Sequence, residues 1–92
     1  MNLNEEQLEE LSVMAGLFFE VEDIMINLDI PLHQVEDFEH VLKYEKEDPV
    51  YLAYHRGRLK TEVELRTAIK QASLNGSNPA QNTMLEFRNR TL

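Results

Sequence analysis

The sequence predicts an all-α fold of about five helices: a three-helix unit at the N-terminus, a long helix, and a short C-terminal helix. Three observations predict it. Apolar residues recur at spacings of three and four rather than alternating. Only three glycines and three prolines interrupt 92 residues that are 42 % hydrophobic, which suits helices more than turn-rich β structure. Finally, residues that cap helices stand where the apolar periods begin.

The first helix starts after Asn4, with Gln7 completing a capping box and Leu3 and Leu8 at the staple positions. Leu8, Leu11, Met14 and Ala15 share one apolar face, and Gly16 is a natural stop. A second helix covers about Glu20 to Leu28, burying Val21, Ile24, Met25 and Leu28. Asp29-Ile30-Pro31 breaks it, because the residue before proline avoids helical angles. A third restarts at Pro31 or Leu32, with Val35, Phe38 and Leu42 inward, and ends within Tyr44–Glu47. Asp48-Pro49 reads as a cap with proline at the first helical position, opening a helix that runs to Leu74. Gly57 within it marks a close contact or a bend, since helix glycine costs up to ~1 kcal/mol against alanine. Leu52, Leu59, Val63, Leu65, Ala68, Ile69 and Ala72 form a broad apolar band along it. The band is expected to pack against the hairpin of helices two and three and against helix five, or against a neighbouring subunit. Asn75-Gly76 ends the long helix, and Asn78 is expected to cap a fifth with Pro79 and Gln81 behind it.

Charge divides the chain. Residues 1–49 hold fourteen carboxylates against Lys43 and Lys46, a balance of −12, while residues 50–92 hold seven bases against three acids, a balance of +4. Counting Val21 as the first position, Ile24, Leu28, Ile30, Val35 and Phe38 fill the apolar positions of a DNA-binding helix-turn-helix. Two residues depart from that pattern: Met25 stands where a small residue is usual, and Asp29 where glycine is usual. A plain helical hairpin gives the same periodicity. The expected organisation is an acidic helix-turn-helix-like unit over 1–47 and a basic helical hairpin over 48–92, packed as one domain.

The third helix turns His33, Gln34, Glu36, Asp37, Glu39 and His40 outward. His33 and Gln34 suit base edges, yet the carboxylates are repelled by the phosphates that supply most DNA affinity. The basic candidates lie on the long helix: Arg56, Arg58 and Lys60, then Arg66 and Lys70. Glu62 stands four residues from both Arg58 and Arg66, so part of that charge serves surface pairs on a solvated face. The rest is a candidate phosphate-contacting stripe beside Tyr51 and Tyr54.

No cysteine is present, which excludes disulfides and thiolate metal sites. No apolar run approaches the roughly 20 residues of a membrane span, and no signal-like segment opens the chain, so a cytoplasmic protein without membrane contact is expected. His33 and His40 are two turns apart, and with Glu36 and Glu39 they read as an exposed polar face, not a metal site. There is no phosphate-binding loop, no glycine-rich nucleotide turn and no HExxH. No enzyme and no cofactor are expected.

The chain combines a helix-turn-helix with Tyr54-His-Arg-Gly-Arg58-Leu-Lys-Thr-Glu62-Val-Glu-Leu-Arg66-Thr-Ala68, then Ala72-Ser-Leu-Asn-Gly76-Ser-Asn-Pro-Ala80 and Met84-Leu85. In this order of parts it resembles the small subunits of phage terminases. The likeness covers about Glu20 to Phe87. It implies a non-catalytic subunit that recognises double-stranded viral DNA for packaging, in a bacterial or phage-infected host cell. It also implies a homo-oligomer, often a ring, that hands DNA to a terminase large subunit. By this resemblance, His33 and Gln34 lie on the reading helix and the last two helices build the assembly. The acidic reading face departs from the pattern. An acidic protein-interaction module that leaves DNA alone is the alternative.

Overall fold

The computed structural model describes residues 1–91. They form α1 (Glu5–Gly16), α2 (Val21–Asn27), a 3-10 turn (Leu32–Gln34) that runs into α3 (Val35–Tyr44), α4 (Pro49–Leu74) and α5 (Asn78–Arg90). Contacts group the chain into two compact units, residues 1–61 and the residues from Glu62 onward. The division falls inside α4, later in the chain than the change in charge at Pro49.

In the first unit, the Asn4 side chain accepts from the Gln7 amide at 2.8 Å, and the Gln7 side chain accepts from the Asn4 amide at 2.9 Å. This reciprocal pair satisfies two donors that the start of α1 leaves open. Leu11 of α1 is buried with Ile24 and Met25 of α2, Phe38 and Leu42 of α3, and Val50 of α4 in one cluster, and Ala15 is fully buried as well. Leu28 and Ile30 complete this core, with Val21 and Val35 packed on its edge. Every apolar position of the helix-turn-helix register therefore faces inward. Met25, the residue too large for its position, is fully buried, so the core is built around its volume.

Three helices end by the same device. At each, the residue two past the helix has left-handed φ, its amide bonds to the carbonyl three back, and the next amide to the carbonyl five back. After α4 the left-handed residue is Gly76, φ 96°, the residue for which this conformation is free. After α2 it is Asp29, φ 58°; Ile30 then bonds to Met25 at 2.9 Å. After α1 it is Phe18, φ 62°, with Phe19 bonded to Met14 at 3.2 Å. A bulky residue there carries a penalty of roughly 1–2 kcal/mol. Gly16, expected as the stop of α1, is its last helical residue; the left-handed position falls two residues later, and Gly16 serves a second purpose.

That purpose is close approach. Gly16 and Gly57 meet where α1 crosses α4: a Cβ on Gly57 would collide with the Ser12 carbonyl and lie 2.9 Å from Ser12 Cα. One on Gly16 would lie 2.9 Å from the Gly57 carbonyl oxygen. Of the two expectations for Gly57, the close contact is the one the structure contains, within an unbroken helix. Asp48 caps α4 as expected, accepting from the Val50 amide at 2.8 Å.

The apolar band of α4 is not buried within the chain. Leu52, Leu59, Val63, Leu65 and Ala68 are exposed, and Ile69 and Ala72 half-buried. The seam of the first unit runs instead through Val50 and Gly57, with Ala53, Tyr54 and Thr61 half-buried beside them. Residues a helical turn apart share a face, and the seam residues lie on the opposite side of α4 from Leu52 and Leu59.

The second unit pairs the end of α4 with α5. Ser77, not Asn78, is the cap, accepting from the Ala80 amide at 3.4 Å, and Asn78 is the first helical residue. Gln81 reaches back to donate to the Ser73 carbonyl at 3.1 Å. None of the described residues from Glu62 onward is fully buried; Met84 and Phe87 are half-buried and Leu85 exposed.

Candidate nucleic-acid interface

The sequence points to seven contact residues, and the structure distributes them among different environments. His33 is exposed in the 3-10 turn before α3, whereas Gln34 is half-buried. Gln34 lines a cleft of about 540 Å³ together with Gln7, Leu28 and Asp37, so only part of its amide reaches solvent. Along α3 the outward residues are Glu36, Asp37, His40, Lys43 and Tyr44, with Glu39 half-buried. Lys43 lies 4.0 Å from Glu39, and His40 lies 3.4 Å from Glu45 while its ring leans on Tyr44. The one lysine on this face is paired with a carboxylate, and the exposed surface stays acidic.

The bases of α4 differ among themselves. Arg56 and Lys60 are exposed, four residues apart on one face, with no carboxylate oxygen within 4.0 Å among the described residues. Arg56 borders a shallow cleft whose other wall includes Glu5 and Glu9 of α1. Arg58 points elsewhere: it is half-buried, its guanidinium lies 4.9 Å from the Phe18 ring centre and 5.7 Å from that of Tyr54, and it donates to the Tyr54 hydroxyl at 3.5 Å. Stacking of this kind is worth about 0.5–1 kcal/mol at a partly exposed site, so Arg58 is a structural clasp. In the second unit, Arg66 pairs with Glu62 at 3.2 Å and lies 4.0 Å over Phe87, holding α5 to α4. Lys70 is exposed and free of an ion pair among the described residues.

In the first unit the structure thus brings Arg56 and Lys60 together, turns Arg58 inward, and leaves His33 and Gln34 on a different element. Sequence spacing alone does not separate these roles, because Arg56, Arg58 and Lys60 look alike until the side of α4 that faces α1 is known. The clue was Gly57: the residue that touches α1 fixes the face, and Arg58 is its neighbour.

The described residues bury no polar or charged side chain, and they contain no cluster of three or more His, Asp or Glu side chains able to hold a metal ion. No helix among them is long and apolar enough to cross a membrane. No family model, curated protein or solved structure matches the chain.

Proposed function

We propose that the chain is a non-catalytic assembly protein similar to a phage terminase small subunit, which oligomerises through the residues from Glu62 onward and meets double-stranded DNA with exposed bases of α4. The observation that carries the reading is the hairpin of the second unit. Its described residues include no fully buried side chain, yet they expose Val63, Leu65, Leu74 and Leu85. A helical hairpin with so little burial gains too little from the hydrophobic effect to offset its own ordering. Copies of itself, or a large subunit of the packaging machine, would supply the missing partner. Arg56, Lys60 and Lys70 support the DNA part, being exposed and without an ion pair among the described residues. In this reading α3 does not read bases: its face carries Glu36 and Asp37, and phosphates repel it.

The same acidic face favours a second reading, in which the first unit binds a basic protein and no DNA. Light scattering with and without a mixed-sequence duplex at low salt separates the two. A multimer that takes up duplex, and loses it when Arg56 and Lys60 are changed to glutamate, supports the first. A single chain or dimer that ignores duplex supports the second.

A further inference from the structure

The turn between α1 and α2 exposes three consecutive large apolar residues, Leu17, Phe18 and Phe19. Scattered exposed apolar side chains are ordinary; a contiguous run beside a groove marks a contact surface. The groove is there. Phe18, Phe19 and Tyr54 line a cleft of about 400 Å³, which continues into a second of about 360 Å³ over Val21 and Leu42. Both lie wholly within the first unit.

The two ends of the groove differ in charge: the second cleft carries Lys43, 4.0 Å from Glu39, and His55, while the first is bordered by carboxylates unpaired among the described residues. Glu20 and Glu22 border the cleft at its Phe18–Phe19 end, and neither has a cation within 4.0 Å among the described residues. Glu20 precedes α2 without using its side chain to cap it. The groove's own Arg58 is already laid on Phe18 and Tyr54, so it leaves the outer face of Phe19 and both carboxylates unoccupied. The surrounding unit carries fourteen carboxylates against five bases, a field that draws in positive partners.

We infer that this groove docks a basic, leucine-bearing helical segment of another protein, with an apolar side chain against Phe18 and Phe19 and an arginine or lysine between Glu20 and Glu22. A second copy of the chain is a poorer occupant. Its best matching surface in the first unit is Leu52, Arg56, Leu59 and Lys60, and that surface comes on a unit with the same excess of carboxylates, which the field around the groove repels. The left-handed Phe18 fits the same purpose. It places an aromatic ring at a site where glycine would hold the turn more cheaply, and such outliers collect at binding sites.

The probe is a synthetic helical peptide with leucines four apart and arginines between them, titrated into the isotope-labelled full chain and followed by amide chemical shifts. A control peptide carries glutamate in place of arginine. The expected result is saturable shifts confined to Leu17–Glu22 and Tyr54, seen with the arginine peptide only. Phe19→Ala is expected to weaken binding at least about tenfold, as loss of an aromatic anchor does. The pair Glu20→Gln and Glu22→Gln is expected to weaken it several-fold with an unchanged melting temperature. The proposal is overturned by equal binding of the glutamate peptide, by shifts centred on Glu36 and Asp37, or by no saturable binding. A dimer that forms without peptide and dissociates on Phe19→Ala overturns it too, by making a second copy the occupant.

Discussion

The hydroxyl of Thr61 donates to the backbone carbonyl of Gly16 at 2.6 Å, spanning 45 residues of sequence at the point where α1 and α4 touch backbone to backbone. Gly16 has no side chain to keep Thr61 away, and Gly57, one turn earlier on α4, lets the helix come close enough for the bond. The three residues act as one unit. A side chain added at either glycine pushes the hydroxyl out of reach.

Gly57→Ala is therefore a contest of two effects. Alanine improves helix propensity by up to ~1 kcal/mol, but its Cβ meets the Ser12 backbone, which cannot rotate away as a side chain would. Overpacking against a fixed neighbour costs about 1–3 kcal/mol, so a net loss of stability is expected. Thr61→Val, which keeps the shape and removes the donor, is expected to cost about 1 kcal/mol. Urea titration measures both; an alanine chain as stable as the parent rules out this packing.

At Phe18 the usual order of substitutions is expected to invert. Alanine and glycine both delete the ring and its contact with Arg58, but only glycine relieves the left-handed φ of 62°. Phe18→Gly is expected to be more stable than Phe18→Ala by about 1 kcal/mol, the reverse of their order inside a helix. The same comparison at Asp29, φ 58°, has the same sign and a smaller size, since aspartate visits that region more readily. Equal melting points for the two Phe18 variants would refute the strain.

How far the sequence reaches is clear from these same residues. Local signals were legible: the Asn4–Gln7 box, the Asp48 cap, the break at Asp29–Pro31 and the inward Ile24, Leu28, Ile30 and Phe38 all depend on neighbours within a turn or two. What sequence misses is set by contacts distant along the chain. Gly16 was legible as the end of α1 but not as a contact, because its partner Gly57 is far away in sequence. Leu52, Leu59 and Val63 were legible as an apolar stripe, but helical spacing does not say whether other helices of the chain or a neighbouring subunit cover it. The cap of α5 shifted by one residue because Ser77 and Asn78 are both good caps, and the left-handed Gly76 places Ser77 first. Of the candidate site, the basic residue types were legible and their directions were not.

His55 closes the end of α3. Its Nε2–H donates to the Leu42 carbonyl at 2.7 Å, an acceptor that the helix leaves open because the Lys46 amide turns to Tyr44 instead, at 3.0 Å. The ring also lies 4.1 Å from that of Tyr51. His55→Phe keeps the ring contacts and removes the donor, and is expected to cost about 0.5–1.5 kcal/mol for the lost bond at this partly exposed site. The check is amide exchange: protection at the end of α3 is expected to fall while that of α1 stays.

DNA uptake, if it runs through α4, has a charge signature. Changing Arg56 and Lys60 to glutamate is expected to abolish duplex binding at low salt, whereas His33→Ala with Gln34→Ala leaves it within about twofold, since neither supplies a phosphate contact. Neutralising Lys70 alone is expected to shallow the slope of log affinity against log salt by about 0.9. Anisotropy of a labelled duplex reads all three. Sensitivity to His33 and Gln34 with indifference to Arg56 and Lys60 would return the reading role to the turn before α3.

The second unit sets the last expectation. Leu65 and Leu85 are 48 % and 45 % exposed, on a hairpin whose described residues include none that is fully buried. If copies of the chain cover these leucines, charged replacements act on assembly and not on the fold of residues 1–61, whose core contains neither. Leu65→Lys with Leu85→Lys is expected to bring the mass by light scattering down to a single chain. The amide shifts of Leu11, Ile24 and Phe38 should stay as in the parent. Lysine on a surface already facing water costs little in the isolated chain, so a parent that is a single chain should barely notice the change. A single-chain mass for both proteins would mean that the leucines await a different partner and that the chain does not assemble with itself.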